Sequence, residues 1–168
     1  MISTFDRSII ITGEFDDATS NMFFTEFLRI DSTVGDINII ISGSEGGEWA
    51  TSGAGITDLM LNSENYIITN AYGEISSTAA LVWLAGDHRV MTSRSLLMFH
   101  SGTVTIEMDA KESTKFSRIV EKQAEMEYQY LSERSNRPPK FWKEELGRGD
   151  VYFFPEEAME IGLAHHTI

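Results

Sequence analysis

Short β-branched runs alternate with longer amphipathic stretches over the first hundred residues of this 168-residue chain. Four of the runs predict strands: 8–12 (SIIIT), 37–42 (INIIIS), 66–71 (YIITNA) and 95–100 (SLLMFH). The stretches between them predict helices at about 18–30, 52–62 and 77–85. Strands and helices that alternate at this spacing predict an α/β fold of stacked βαβ units, with a mainly parallel sheet and right-handed crossovers.

The charge balance excludes several classes of partner. The chain contains 13 Lys and Arg residues and 26 Asp and Glu residues, so its net charge is −13. Phosphate backbones and anionic lipid would repel such a chain, and we expect neither nucleic acid nor a membrane surface as a partner. The absence of cysteine excludes disulfides, a thiol nucleophile and Cys-ligated metals. Since no apolar run approaches about 20 residues and the start lacks a signal-peptide pattern, we expect one soluble, cytoplasmic domain over residues 1–168.

The last third of the chain predicts one long helix. Residues 109–135 contain no Gly or Pro, and the helix is expected to stop before Pro138 and Pro139. Its apolar residues recur at three- and four-residue steps and form one stripe: Phe116, Ile119, Val120, Met126, Tyr130 and Leu131. Such a helix is either a solvated face or an arm that projects towards another subunit, and the pattern favours neither.

A pair of serines stands where a predicted strand passes into a predicted helix, in the segment 73–80 (GEISSTAA). A serine at such a turn exposes its hydroxyl above the sheet, beside the N–H groups that start the helix. An acyl-transfer nucleophile needs this geometry, because those N–H groups can hold the developing oxyanion. The more frequent role of a serine at such a position is a helix N-cap, and this alternative stays open for Ser76 and Ser77.

Two further residues could complete a catalytic arrangement. His100 ends a predicted strand, which would hold a basic imidazole rigidly beside the serine loop, although a structural histidine is the usual alternative. Asp150 precedes the predicted helix 155–162, and a buried carboxylate there would orient the histidine. The other histidines, in a predicted polar turn and in the C-terminal tail, are expected to be solvated and indicate no metal site: His88, His165 and His166.

The glycine-rich segment 42–47 (SGSEGG) does not match a phosphate-binding loop. It lacks the Gly-Lys-[Ser/Thr] ending, and Glu45 would repel a phosphate. The N–H groups exposed by Gly46 and Gly47 could instead face a substrate carbonyl or a peptide strand.

Taken in order, these segments resemble the proteolytic subunit of Clp protease (ClpP), which has the ClpP/crotonase fold. The resemblance covers nearly the whole chain. Residues 41–47 (ISGSEGG) look like the family's Ile-Asn-Ser-Pro-Gly-Gly loop, and 73–79 (GEISSTA) look like its Gly-x-Ala-Ala-Ser-Met-Gly turn. The family's Met-Ile-His falls on 98–100 (MFH), and its Asp-x-x-Phe…Glu-Ala pattern falls on 150–158 (DVYFFPEEA). Each motif alone is weak, but together in this order they are specific.

The resemblance implies a role for each matched residue. Ser77, rather than Ser76, is implied as the nucleophile, His100 as the base that takes its proton, and Asp150 as the acid that orients the imidazole. The N–H groups of Gly47 and Thr78 are implied as the oxyanion hole. Thr78 stands where the family has a methionine.

The resemblance also implies the kind of enzyme. It would be a serine endopeptidase that hydrolyses peptides or unfolded polypeptides inside a homo-oligomer of heptameric rings. Stacking of two such rings would give a tetradecamer. Residues 101–135 would form the handle, whose projecting helix lies where substrate strands bind and two rings meet. No cofactor or metal is implied.

Several positions depart from the family pattern. Glu45 replaces the loop proline, one extra residue lies between Gly47 and Gly53, and 101–104 (SGTV) replaces the Gln-Pro segment after the histidine. The chain begins almost at its first core strand, so the loops that engage the Clp ATPase are expected to be absent. The family implies that ATPase as a partner, whereas the absent loops argue against it and fit a divergent member such as a phage-encoded one.

Two other functions are alternatives to the peptidase. A non-catalytic or regulatory ring subunit would fit the absent loops, whereas the complete set of Ser77, His100 and Asp150 argues against simple inactivity. An acyl-CoA enzyme of the wider crotonase fold fits poorly, because the acidic chain disfavours a CoA phosphate group.

Overall fold

The computed structural model describes residues 1–102 and 110–168, and these residues form two compact units. The first comprises Met1–Phe99 and Tyr152–Ile168, and the second comprises His100–Val151. Residues 103–109, which belong to the expected handle of 101–135 and include the expected start of its helix at 109, lie outside the described residues. A single domain over 1–168 stays a prediction. None of the described helices is long and apolar enough to cross a membrane.

Eight strands of the described chain form one mixed sheet: β1 Ile2–Phe5, β2 Ser8–Thr12, β3 Ile37–Ser44, β4 Ile67–Ser76, β5 His88–Met91, β6 Leu96–Phe99, β7 Val151–Phe153 and β8 His166–Thr167. They lie in the order β1-β2-β3-β4-β5-β8, and β6 pairs with both β4 and β7. β1 and β2 are antiparallel, whereas β2–β3, β3–β4, β4–β5, β4–β6 and β5–β8 are parallel. The predicted α/β fold with a mainly parallel sheet is therefore confirmed.

The helices lie between these strands: α1 Asp17–Asp31, α2 Ala54–Leu61, α3 Thr78–Trp83, α4 Ala110–Glu133, α5 Pro139–Leu146 and α6 Pro155–Glu160. α1 begins after Asp16, whose carboxylate accepts a hydrogen bond from Thr19 N–H at 2.7 Å. Every residue of α3 is buried, so this helix belongs to the core of the first unit. The apolar run of β3 is covered on both faces, as predicted, because Ile39 is fully buried and Ile40 is half-buried.

The second unit contains α4 and α5. Trp142 is fully buried, and its indole N–H donates to Ser135 Oγ at 3.1 Å. The long helix predicted in this region is confirmed from residue 110 onwards. Its apolar stripe is only partly covered, because Leu131 is buried whereas Ile119 and Met126 are 54% and 64% exposed.

Some element boundaries differ from the predictions. β4 was expected to end at Ala71 but continues to Ser76, because its last three residues pair with Leu96–Met98 of β6. The predicted polar turn around His88 is instead strand β5, whose residues pair in parallel with Ile68–Ala71 of β4. These pairings join residues about 20 positions apart, so no local pattern signals them.

Candidate active site

Ser77 lies alone between β4, which ends at Ser76, and α3, which begins at Thr78. Its backbone has φ 55° and ψ −127°, a conformation that residues with a side chain rarely adopt. Ser77 occupies the N-cap position of α3, but its side chain makes no capping hydrogen bond, so the interpretation of its hydroxyl as a helix cap is wrong. It is wrong for Ser76 too, because that residue is the last of β4 and its hydroxyl donates to Glu74 Oε1 at 3.0 Å. Strained strand-to-helix turns of this kind present nucleophilic serines in other folds.

Neighbouring elements fix the backbone of this turn from two sides. Ser76 pairs with Met98 of β6, and Ser77 N–H donates to Met98 O at 2.8 Å. Ala79 and Ala80 are fully buried, and their small side chains let α3 start close against the sheet. The Ser77 side chain itself is half-buried.

Gly46 packs directly against the serine turn. A Cβ atom at this position would lie 2.7 Å from Ser76 O, 2.8 Å from Ser77 Cβ and 3.0 Å from Thr78 N, and the backbone has φ +98°. Only glycine fits there. Sequence reasoning selected Gly47 for the site and missed this role of Gly46, since a Gly-Gly pair does not tell which member touches the turn.

Gly47 is held at the edge of a short parallel bridge to Phe15. Phe15 N–H donates to Gly46 O at 2.8 Å, and Glu48 N–H donates to Phe15 O at 2.9 Å. Because peptide groups are trans, these two bonds direct both the N–H and the C=O of Gly47 away from Phe15. On that side the Gly47 carbonyl accepts a hydrogen bond from Thr78 Oγ1 at 2.7 Å.

A π-helical turn, Trp49–Gly53, follows the glycine pair and leads into α2. In this turn Gly53 N–H donates to Glu48 O at 3.0 Å, an i→i+5 bond that closes a wider ring than an α-helix does. A π-helical turn accommodates one additional residue in a helix. The helix predicted from residue 52 therefore begins with this turn rather than with regular α-helix.

The structure brings together three of the five predicted site residues, Ser77, Thr78 and Gly47. The other two belong to the second unit: His100 directly follows β6, and Asp150 directly precedes β7. The His100 side chain is half-buried. Asp150 is exposed, so the expectation of a buried carboxylate is wrong for the chain by itself. The association of these two residues with Ser77 stays a prediction.

The remaining histidines differ from expectation in part. His165 and His166 are exposed, as expected, but His88 is half-buried and its ring stacks on that of His165, with centroids 5.5 Å apart. Arg89 is buried, and its backbone N–H donates to His165 Nδ1 at 3.1 Å. These contacts join β5 to the C-terminal segment. Within the described residues, no group of three or more His, Asp or Glu is placed to hold a metal ion.

Two comparisons with known proteins bear on this arrangement. A family model described as Clp protease matches residues 2–168. The chain is also similar to the ATP-dependent Clp protease proteolytic subunit 3 of Rhodococcus jostii (strain RHA1). The two are 23% identical over 164 residues, which cover 96% of this chain and 81% of that relative.

Proposed function

Because the chain belongs to the Clp protease family, we propose that it is a serine endopeptidase whose nucleophile is Ser77. The observation that carries the proposal is the strained backbone of Ser77, with φ 55°, at the junction of β4 and α3. Strain of this size, about 1–3 kcal/mol, persists where the surrounding structure enforces it, and such positions cluster at active sites. Here the Met98 carbonyl and Gly46 hold the turn in place.

We assign the remaining steps to His100 and Asp150. The Ser77 hydroxyl attacks the peptide carbonyl while the His100 imidazole takes its proton, and the imidazole later gives that proton to the leaving amine. Asp150 orients the imidazole and stabilises its charged form. The pairing of β6 with β7 supports this assignment, because His100 follows the first of these strands and Asp150 precedes the second.

The oxyanion that forms on the attacked carbonyl would be held by the N–H groups of Gly47 and Thr78. The bridge to Phe15 supports this role for Gly47, because it turns the Gly47 N–H to the side on which Thr78 lies. Removal of one such donor costs about 10²–10³ in rate.

We propose peptides and unfolded polypeptides as substrates and a homo-oligomer of heptameric rings as the working form. The uncovered apolar side chains of α4, Ile119 and Met126, support assembly because contact with another subunit would bury them. Ring enclosure would also restrict the peptidase to polypeptides that enter the chamber.

Labelling by a fluorophosphonate tests the nucleophile, because the probe reacts only with an activated serine. The parent protein should be labelled and should hydrolyse small peptide esters, whereas Ser77→Ala should do neither and keep its assembly. Ser76→Ala is the matched control, since it removes the adjacent hydroxyl, and it should be labelled like the parent. Equal labelling or hydrolysis by Ser77→Ala would refute the proposed nucleophile.

A second candidate is a non-catalytic or regulatory ring subunit that assembles with an active protease. The exposure of Asp150 favours it, because a carboxylate in water orients a histidine poorly. An unlabelled parent protein that still assembles would establish this alternative over the peptidase.

A further inference from the structure

The side chain of Thr78 contacts both ends of the segment 47–53. Its hydroxyl donates to Gly47 O at 2.7 Å. Its methyl group, Cγ2, lies against Gly53, so closely that a Cβ atom at Gly53 would overlap it. Thr78 is only 1% exposed, so water does not compete for its hydroxyl. One side chain thus links the glycine pair to the end of the π-helical turn.

The hydrogen bond from Thr78 adds a second restraint to the backbone at Gly47, which Phe15 already orients. On one side of the segment, the bonds to Phe15 hold Gly46 O and Glu48 N–H. On the other side, Thr78 Oγ1 holds the Gly47 carbonyl. Among the described residues none accepts a hydrogen bond from Gly47 N–H, so this donor is oriented but available.

Glycine cannot maintain this orientation by itself. Gly47 has φ +147°, and a residue without Cβ rotates through such conformations at little cost. The π-helical turn that follows adds one residue of slack between Gly47 and Gly53. Together with the two bonds to Phe15, the contacts of Thr78 with Gly47 and Gly53 limit that freedom.

We propose that Thr78 is a positioning residue: its hydroxyl holds the Gly47–Glu48 peptide group and so supports the backbone conformation in which the Gly47 N–H points at the substrate oxyanion. This inference rests on the proposed peptidase function. It assigns to the Thr78 side chain a role separate from that of its backbone N–H.

The test compares two variants by their kinetics of inactivation with a fluorophosphonate. Thr78→Val keeps the shape and the methyl contact with Gly53 but removes the hydroxyl. It should lower the maximal inactivation rate by about tenfold to a hundredfold and leave the apparent affinity for the probe nearly unchanged. Thr78→Ser keeps the hydroxyl and should react within about threefold of the parent rate.

Thr69→Val is the matched control. Thr69 is fully buried on β4, and its hydroxyl donates to Trp83 O of α3 at 2.8 Å, so the substitution removes a comparable buried bond from a threonine hydroxyl to a backbone carbonyl. It should lower the melting temperature as much as Thr78→Val does while leaving the inactivation rate at the parent value. A parent-like rate for Thr78→Val, or an equal loss for Thr69→Val, would overturn the inference.

Amide hydrogen exchange separates this inference from the proposed function. If Thr78 holds the segment, exchange at Phe15 and Glu48 should accelerate in Thr78→Val and not in Thr78→Ser or Thr69→Val. A parent protein that failed to react with the probe would refute the peptidase, and with it the positioning role for an oxyanion. Unchanged exchange at both amides in Thr78→Val would refute the proposal that Thr78 holds this segment.

Discussion

At the scale of single residues, Gly46 is a position where the candidate site tolerates little change. An alanine there would press its Cβ against Ser76 O and Ser77 Cβ and would also require a backbone with φ +98°. We predict that Gly46→Ala lowers the free energy of unfolding by about 1–3 kcal/mol. Because the added methyl displaces the serine turn, labelling by a fluorophosphonate should slow by about a hundredfold.

Gly43→Ala provides the control for backbone strain without crowding. Gly43 also has a positive φ, +54°, but a Cβ atom there would meet nothing within 4 Å. Its substitution should cost about 1 kcal/mol or less and leave the labelling rate unchanged. Equal rates for Gly46→Ala and the parent would show that contact with Ser77 is unimportant for reactivity.

The sequence predicted some of these residues and not others for a physical reason. Ser77 follows a local pattern, a strand followed by small residues that open a helix, and such patterns can be read along the chain. The contact between Gly46 and Ser77 joins loops 31 residues apart, and only folding brings them together. The exposure of Asp150 is likewise a property of the packed chain and not of its neighbours in sequence.

At the scale of elements, α4 carries a half-buried carboxyl, that of Glu127, which makes stability depend on pH. Burial raises the pKa of the Glu127 carboxyl to about 7, so the folded state keeps a proton that the unfolded chain releases near pH 4.5. The contribution of this group to stability is therefore present below pH 4.5 and is lost as the pH rises through 7. We predict that Glu127→Gln raises the free energy of unfolding at pH 8 by on the order of 2 kcal/mol.

Urea unfolding at several pH values between 4 and 8 measures this effect. The difference between Glu127→Gln and the parent should grow across that interval and then level off. Glu125→Gln, on the same helix but exposed, is the control and should follow the parent curve. Parallel curves for the parent and Glu127→Gln would mean that the carboxyl is ionised in the folded state.

The elements also show what periodicity can and cannot predict. The amphipathic helix α1 was expected at 18–30 and spans Asp17–Asp31, because its period and its Asp16 cap are local. The π-helical turn before α2 was missed, since an i→i+5 bond leaves no distinct residue pattern.

At the scale of the whole molecule, the proposed assembly depends on the exposed apolar residues of α4. Replacement of both Ile119 and Met126 by Asp should leave the fold intact, because both side chains are more than half exposed. It should reduce the mass of the assembly, because like charges would then face each other between subunits. Native mass spectrometry of the parent and the double variant measures this change.

The double substitution of Glu121 and Glu125 by Gln serves as the control, since it alters exposed charges on the same helix without placing new ones. It should preserve the parent mass. A parent protein that is monomeric at all concentrations would contradict ring assembly. An unchanged mass in the double Asp variant would place the subunit contact elsewhere.

The backbone of Ser77 sets evolutionary pressure in two opposite directions. Its torsion angles are those that glycine adopts without penalty, so random drift under selection for folding alone would replace this serine and gain stability. A lineage in which the hydroxyl no longer serves chemistry should therefore lose it early. If Ser77 is the nucleophile, the residue found at position 77 in a descendant of this chain should therefore indicate whether that descendant uses the hydroxyl in catalysis.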